Sequence, residues 1–291
     1  MLQHDLVHVD VRYENEVKYG QTVTAHANIL PSEVADQVTT SHLIEVDDEK
    51  CCDRTGRATL TTLIDIAVLA SEDQSDALGL TTEMVQSHGV GWVVTQYAID
   101  ITRMPRQDEV VTIAVRGSAY NPYFAYREFW IRDADGQQLA YITSIWVMMS
   151  QTTRRIVKIL PELVAPYQSE VVKRIPRLPR PISFEATDTT ITKPYHVRFF
   201  DIDPNRHVNN AHYFDWLVDT LPATFLLQHD LVHVDVRYEN EVKYGQTVTA
   251  HANILPSEVA DQVTTSHLIE VDDEKCCEVT IQWRTLPEPI Q

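Results

Sequence analysis

The chain has few basic residues for its length, and this shortage excludes a large class of partners. Its 291 residues include 24 lysines and arginines against 42 aspartates and glutamates, which gives a formal net charge of -18 at pH 7. A surface that repels phosphate groups argues against general nucleic-acid binding. The length is sufficient for one large domain or for two ordinary domains.

Long apolar stretches and metal-type cysteine spacings are also missing. No run approaches the ~18 apolar residues of a membrane helix and no basic-then-apolar leader is present, so we expect neither a membrane span nor a signal peptide. The 4 cysteines form adjacent pairs, Cys51–Cys52 and Cys276–Cys277. Adjacent cysteines rarely bridge each other and these lack zinc-ligand spacing, which favours a reducing cytoplasm as the compartment.

One internal repeat is identical letter for letter. Residues 2–52 have the same sequence as residues 227–277. Neutral drift does not leave such a segment unchanged while the rest diverges, so we interpret one copy as a duplication or an insertion. The later copy continues into an alternating strand pattern, whereas the earlier copy ends abruptly. We therefore regard 1–52 as the foreign or duplicated segment and expect no chemistry there, although Glu16 is the copy of Glu241.

A second, faint repeat predicts the architecture. At an offset of 150 residues Asp203 aligns with Asp53, and at an offset of 137 residues Trp283 aligns with Trp146. Each unit is predicted to contain a strand, a polar turn, a long helix and several strands joined by hairpins. The first strand of the earlier unit should lie around 45–50, although that segment is a poor strand former. The order predicts an α+β fold, with a curved antiparallel sheet wrapped around each long helix and two tandem units paired like a fused homodimer.

The repeat divides the rest of the chain into three parts. We expect a first unit at 53–160, a linker at 161–193 and a second unit at 194–291. The linker is rich in proline, which suits an extended segment. It also gathers basic residues in an otherwise acidic chain, either to meet an acidic partner or simply as a solvated strip. This basic strip contains Arg174, Arg177 and Arg180.

The most informative stretch lies near the start of the second unit. There Asp203, Asn205 and His207 alternate on a polar turn that follows an extended run. An apolar-periodic helix comes next, and Asn209 and Asn210 are suited to cap it. The N–H groups at a helix start have no partner within the helix. Carboxylate, amide, imidazole and N–H groups together can hold a polarised carbonyl and a water, as acyl transfer requires.

Other interpretations of this turn are open from the residues alone. Its acidic positions match the start of a calcium loop, but Arg206 and His212 stand where that loop has glycine and glutamate. His207 and His212 lie five residues apart, which does not place two zinc ligands on one helix face. We expect no metal here. A purely structural turn with capping asparagines is the serious alternative.

The polar set of the second unit is replaced in the first unit. The aligned pairs are Thr55 for Asn205, Arg57 for His207 and Met104 for Glu241. A merely structural turn would not require this difference, so we expect chemistry in the second unit alone. Glu241 ends a charged strand, where side chains are usually solvated, and the residues alone do not single it out.

Together these features resemble the acyl-acyl-carrier-protein thioesterases of plants and bacteria, which contain tandem hotdog domains. The resemblance covers about residues 53–291. It rests on Asp-Pro-Asn-Arg-His-Val-Asn-Asn at 203–210 and on Tyr-Glu-Asn-Glu-Val at 238–242. It implies that the family's catalytic set falls on Asp203, Asn205, His207 and Glu241. Some plant members carry a cysteine where this chain has Val242, so a cysteine-based triad is not available.

The resemblance implies hydrolysis of a fatty-acyl thioester without metal or cofactor. Glu241 would act as general base on water, or less readily as a nucleophile. Asn205 and His207 would position that carboxylate and the water, and Asp203 would orient the turn. The oxyanion would be stabilised by the backbone N–H groups of Val208, Asn209 and Asn210.

We expect both units to contribute to substrate binding. The acyl chain needs an apolar tunnel, which we expect in the first unit, and the acidic acyl carrier protein would meet the basic strip. Three alternatives remain: a thioesterase acting on acyl-coenzyme A, a hotdog hydratase or dehydratase that does not need Glu241, and a non-catalytic acyl-binding module. Association of two such chains into a homodimer is left open.

Overall fold

The computed structural model describes residues 26–31, 38–46, 51–203, 207–255 and 259–290. Three residues named from the sequence, Glu16, Asn205 and Arg206, lie outside these ranges. Among the helices of the described residues, none is both long and apolar enough to cross a membrane.

The first unit places one long helix before an antiparallel meander. Its elements are β1 (His26–Pro31), β2 (Val38–Val46), α1 (Leu60–Ala77), α2 (Thr82–Ser87), β3 (Val90–Ile101), β4 (Glu109–Tyr120), β5 (Ala125–Arg132), β6 (Gln138–Ser150), β7 (Ile156–Val157) and β8 (Glu170–Val171), with 3-10 turns at Pro161–Leu163 and Ala165–Tyr167. The Oγ1 of Thr59 caps α1 by accepting the N–H of Thr62 at 3.1 Å. This 18-residue helix agrees with the long helix predicted from the sequence.

The second unit repeats this order but divides its helix. Its elements are β9 (Ile191–His196), a 3-10 turn at Phe199–Asp201, α3 (His212–Asp219), α4 (Ala223–Gln228), β10 (His229–Tyr238), β11 (Thr247–Leu255), β12 (Gln262–Val271) and β13 (Glu274–Thr285). The prediction of one long helix here is wrong, because α3 ends after 8 residues and Pro222 precedes α4. A proline disfavours helical geometry in the residue before it and donates no N–H, so α3 cannot continue through it.

The strands of both units form one sheet. Its order is β1-β2-β4-β5-β6-β3-β10-β13-β12-β11-β9, with β7 beside β6 and β8 beside β4. The units meet where β3 pairs antiparallel with β10, a contact called the seam below. Ala98 pairs there with Asp235, its own equivalent at the offset of 137, since 235 − 98 = 137. A local two-fold axis therefore passes through the seam, and the predicted α+β fold of two tandem hotdog units is confirmed.

The repeated segment supplies a strand of the first unit. β2, which belongs to this segment, pairs antiparallel with β4, just as β9 pairs with β11 in the second unit. Because β4 and β11 are equivalent at the offset of 137, β2 occupies the position of β9. This strand therefore lies earlier in the chain than the predicted segment around 45–50, which it overlaps only at residues 45 and 46.

The helices cover one face of the sheet and form the core with it. In α1, Leu63 and Ile64 are fully buried, and in β13 so are Val279 and Ile281. Burial of each such side chain contributes about 1.5–3 kcal/mol. Alternate residues of a strand point to opposite faces, so the residues between these strand positions face away from the helices.

The linker runs along the face that the helices leave uncovered. Val172, Ile175 and Leu178 pack against Ala119, Tyr126 and Ile145 of the first unit. Farther along, the N–H of Ile182 donates to the Oγ1 of Thr280 at 2.7 Å. Thr280 lies between Val279 and Ile281 and so faces away from the core. The linker is therefore packed on the sheet and connects the two units across its back.

A histidine is held between two carboxylates at the seam. His233 of β10 places Nδ1 2.7 Å from an oxygen of Asp100 on β3 and Nε2 3.0 Å from an oxygen of Asp235. Hydrogen bonding to Asp235, followed by that to Asp100, raises the pKa of His233 to about 8, although burial acts in the opposite direction. The protonated imidazole therefore links the two units electrostatically.

This contact predicts that the seam weakens at alkaline pH. The folded-state pKa of about 8 lies above the ordinary value of 6.5, so the stabilisation is fully present below pH 6.5 and is lost as the pH rises through 8. Urea unfolding should show that His233→Gln costs ~2 kcal/mol more at pH 6 than at pH 9. The exposed His88 provides the control, since His88→Gln should show no such difference. An equal cost of His233→Gln at both pH values would contradict this role.

Candidate active site

The polar turn of the second unit is closed by its aspartate. The N–H of Asp203 donates to the carbonyl of His207 at 2.8 Å, and the N–H of His207 donates to Asp203 Oδ1 at 3.3 Å. The first unit repeats both bonds, from Asp53 N–H to the carbonyl of Arg57 at 2.7 Å and from Arg57 N–H to Asp53 Oδ1 at 3.4 Å. The aspartate therefore holds the same turn in both units, and a role of Asp203 in catalysis stays a prediction.

The same equivalence fixes the place of Glu241. The N–H of Val208 donates to the carbonyl of Val242 at 3.0 Å, and in the first unit Ala58 donates to Pro105 at 2.8 Å. These pairs are related by the two offsets found in the sequence, since 208 − 58 = 150 and 242 − 105 = 137. Glu241 therefore follows the strand at the place where the first unit has the buried Met104.

The structure brings His207 and Glu241 into direct contact. The Nε2 of His207 lies 3.0 Å from Oε2 of Glu241, with the two side chains 19% and 30% exposed. The pair is thus partly shielded but still reachable by water and by a ligand. Asp203 contributes through the turn, whereas Asn205 lies outside the described residues.

A side chain of the first unit lies close to both members of this pair. Nη2 of Arg154, on the turn after β6, binds Oε1 of Glu241 and lies 3.2 Å from Nε2 of His207. When Nε2 donates to Glu241 it has no lone pair left, so the hydrogen bond of Arg154 is to the carboxylate. The sequence predicted that all residues of the candidate site belong to the second unit. The structure adds Arg154 of the first unit to these residues.

These contacts keep Glu241 ionised. The hydrogen bond from His207, and then the charges of His207 and Arg154, hold the pKa of Glu241 below its usual range, although burial acts in the opposite direction. A carboxylate with a low pKa carries its charge throughout the neutral range and can accept a proton there.

The predicted oxyanion donors are mostly engaged elsewhere. The N–H of Val208 donates to Val242, and the N–H of Asn209 donates to the carbonyl of Asp201 at 2.9 Å. The prediction is therefore wrong for these two groups, because they close the turn and are not free for a ligand. Asn210 keeps an N–H with no hydrogen-bond partner among the described residues. The helix itself begins at His212, and the Oδ1 of Asn209 accepts the N–H of Ala211 at 3.0 Å instead of capping a longer helix.

Three tyrosines for which the sequence predicted no role stabilise this turn and its surroundings through hydrogen bonds. The hydroxyl of Tyr213 accepts the N–H of Val242 at 3.2 Å, next to Glu241. Tyr238 donates to the carbonyl of Asn210 at 2.9 Å, and the amide of Asn210 donates to the hydroxyl of Tyr97 at 2.9 Å. Burial raises the pKa of all three hydroxyls, so they stay protonated. Tyr238 lies in the motif at 238–242, but no local pattern indicates that Tyr97 of β3 reaches the turn.

The equivalent turn of the first unit holds an ion pair instead of an acid–base pair. Arg57 binds Asp230 at the start of β10, and its Nε donates to Oγ1 of Thr55 at 3.0 Å. A guanidinium stays protonated at any ordinary pH and cannot act as a base. With Met104 in place of the glutamate, this turn has neither of the groups that meet in the second unit.

The basic strip lies away from the turn that holds His207. Arg174, Arg177 and Arg180 are exposed, whereas Val172, Ile175 and Leu178 between them are partly buried against the sheet. This period of three matches an extended polyproline-like segment. The strip faces outward on the back of the sheet, and α3 with its preceding turn packs on the other side.

Family models match both units of the chain. A model described as the acyl-ACP thioesterase N-terminal domain matches residues 37–167, and one described as the C-terminal domain matches residues 184–285. A chloroplastic acyl-[acyl-carrier-protein] hydrolase of Cuphea viscosissima is 28% identical over 205 residues, which is 68% of this chain and 49% of the relative. Oleoyl-acyl carrier protein thioesterase 2 of Arabidopsis thaliana is 27% identical, over 65% of this chain and 54% of that protein. The chain spans about half the length of the curated relatives that it matches.

Solved structures agree with this relationship. A crystal structure from Lactobacillus plantarum, provisionally named an oleoyl thioesterase, is 94% identical to the matched region, with a TM-score of 0.86 over 87% of this chain and 99% of that chain. The 12:0-ACP thioesterase of Umbellularia californica shares the fold, with a TM-score of 0.74 at 16% identity over 85% of this chain and 98% of the other. The two domain models together with the 94% identical structure show that this chain belongs to the acyl-ACP thioesterase family.

Proposed function

We propose that the protein hydrolyses the thioester bond of fatty acyl-acyl-carrier-protein and releases a free fatty acid. The observation that carries this proposal is the contact between His207 and Glu241 at 3.0 Å, on a turn whose equivalent in the first unit lacks both groups. Neither a structural turn nor an acyl-binding module needs such a pair. A hotdog hydratase would not need Glu241, which the pair includes.

In the proposed reaction Glu241 acts as the general base. A water hydrogen-bonded to the ionised carboxylate attacks the acyl carbon, its proton passes to Glu241, and the C–S bond then breaks. A thiolate is a good leaving group because its conjugate acid has a pKa of about 8.5. His207 orients the carboxylate, and Asn205 is proposed to hold the water.

The developing oxyanion needs a hydrogen-bond donor that is not already bonded to another group of the protein. The N–H of Asn210 is the remaining candidate in the turn, since those of Val208 and Asn209 are engaged. One well-placed donor of this kind typically lowers the barrier by about 3 kcal/mol.

The two units are proposed to have different functions, one in hydrolysis and the other in binding the acyl chain. The second unit holds the proposed reacting pair, and the first unit is proposed to bind the acyl chain in an apolar tunnel. The asymmetry of the two turns supports this division, because Arg57 and Met104 leave the first unit without an acid–base pair. Related proteins are named for palmitoyl, oleoyl and 12:0 substrates, so the preferred chain length has to be measured with acyl groups of graded length.

The proposed base can be tested by removing each member of the pair. Glu241→Gln and His207→Ala should each lower kcat at least ~100-fold, because the proton acceptor or its orienting partner is lost. Fatty-acid release should be measured from acyl-carrier-protein and acyl-coenzyme A substrates of graded chain length. Arg57→Ala, at the equivalent position of the first unit, is the control and should keep kcat within a few-fold.

Two results would contradict the proposal. Near-normal turnover by Glu241→Gln would show that another group is the base, and hydration of an enoyl thioester by the wild-type protein would favour the hydratase. Faster turnover of acyl-coenzyme A than of the carrier-protein substrate would show that the enzyme is an acyl-coenzyme A thioesterase.

The proposed carrier-protein contact is tested by reversing the charge of the basic strip. Replacing Arg174, Arg177 and Arg180 by Glu should raise KM for the carrier-protein substrate ~10-fold or more and leave a short uncharged thioester unaffected. The control replaces the exposed Arg54, Arg106 and Lys158 by Glu, which changes the net charge equally. Equal effects of the two triple variants on this KM would show that the strip is only a linker and does not bind the carrier protein.

A further inference from the structure

The turn that connects β6 to β7 is held in a fixed shape by its own hydrogen bonds. The N–H of Arg154 donates to the carbonyl of Ser150 at 3.0 Å, and the N–H of Ser150 donates to the carbonyl of Arg155 at 3.0 Å. Arg154 itself has a φ of 53°, in the left-handed region. Such a conformation is costly for a residue with a side chain unless the surrounding structure fixes it. Its guanidinium therefore extends from a defined point of the first unit.

That guanidinium and the imidazole of His207 hold the two oxygens of one carboxylate. Arg154 binds Oε1 of Glu241, and His207 lies 3.0 Å from Oε2. A carboxylate offers about four lone-pair sites, so one partner on each oxygen leaves room for a water. Held from both sides, the carboxylate cannot rotate about its terminal bond without breaking one of these contacts.

We infer that Arg154 is a positioning residue for the hydrolysis proposed above, and that it aims the carboxylate of Glu241 at the attacking water. This inference rests on the proposed function and deepens it, because the active site then takes an essential charge from each unit. The first unit lacks an acid–base pair of its own, but its Arg154 binds the glutamate of the pair in the second unit.

A role in folding stability does not explain the contact. The side chain of Arg154 is 41% exposed and that of Glu241 is 30% exposed, and ion pairs near the surface stabilise proteins little. A charge-assisted hydrogen bond still fixes direction, and the direction of a general base matters greatly. A misplacement of the base by about 1 Å can slow a reaction roughly 100-fold.

The charged and titratable groups around Glu241 give the expected pH dependence. His207 faces it from the turn, Arg154 faces it from the β6–β7 connection, and the hydroxyl of Tyr213 on α3 lies beside it through Val242. His207 contributes most to the lowered pKa of Glu241 and Arg154 contributes further. Removal of the guanidinium should therefore raise the pKa of Glu241, and the acid limb of the rate profile should move to higher pH.

The test compares Arg154→Gln and Arg154→Lys with the matched control Arg155→Gln, which removes an exposed positive charge from the next position of the same turn. Turnover of a short uncharged acyl thioester by the full chain is measured from pH 4 to 9. Arg154→Gln should lower kcat about 10- to 100-fold, with KM within about twofold and the acid limb shifted upward. Arg154→Lys should recover part of both effects, and Arg155→Gln should match the wild type.

Other outcomes would overturn the inference. A raised KM with unchanged kcat and an unmoved acid limb would make Arg154 a substrate-binding residue, and unchanged kinetics would remove it from the site. Equal loss of activity in Arg155→Gln, or a lowered melting temperature in Arg154→Gln alone, would assign the effect to the turn. A wild-type protein that hydrolyses no thioester would instead refute the proposed function, whereas an active wild type with an unaffected Arg154→Gln would refute only the role of Arg154.

Discussion

The pairing of β3 with β10 is the constraint on which the rest of the molecule depends. It joins two units of the same fold edge to edge, with Ala98 opposite its own equivalent Asp235, and it therefore fixes the starts of α1 and α3 against each other. Across that contact the Oγ1 of Thr61 donates to the carbonyl of Ala211 at 3.3 Å. The hydroxyl of Tyr97 on β3 accepts the amide N–H of Asn210, so the seam also positions the turn that holds His207.

The two equivalent turns differ in their polar groups, and each of them is bound to the other unit. Both turns keep an aspartate, whose Oδ1 accepts the N–H of the residue four positions later. Only the groups beyond the aspartate differ. In the first unit Arg57 pairs with Asp230 of the second unit, and in the second unit Glu241 pairs with Arg154 of the first. Each turn is thus completed by a charged residue of the other unit.

Much of this arrangement could be predicted from the sequence. The two offsets gave the repeat and the equivalence of Glu241 with Met104, because they depend on residue spacing along the chain. The division of the second helix could also have been foreseen, since Pro222 stands inside the apolar pattern. The contributions of Tyr97 and Arg154 could not, because each reaches the site through a sheet contact between distant segments. The engagement of the Val208 and Asn209 N–H groups likewise depends on how the turn folds back onto its neighbours.

In the proposed reaction Glu241 activates water and does not itself attack the thioester. The most direct measurement is a rapid-quench single turnover of a radiolabelled acyl-carrier-protein substrate, with the carrier thiol, the fatty acid and the mass of the enzyme followed together. If Glu241 activates water, thiol and fatty acid should appear with the same time course and the enzyme should never carry an acyl group. Release of the thiol ahead of the fatty acid, with one acyl group added to the peptide that contains Glu241, would contradict it.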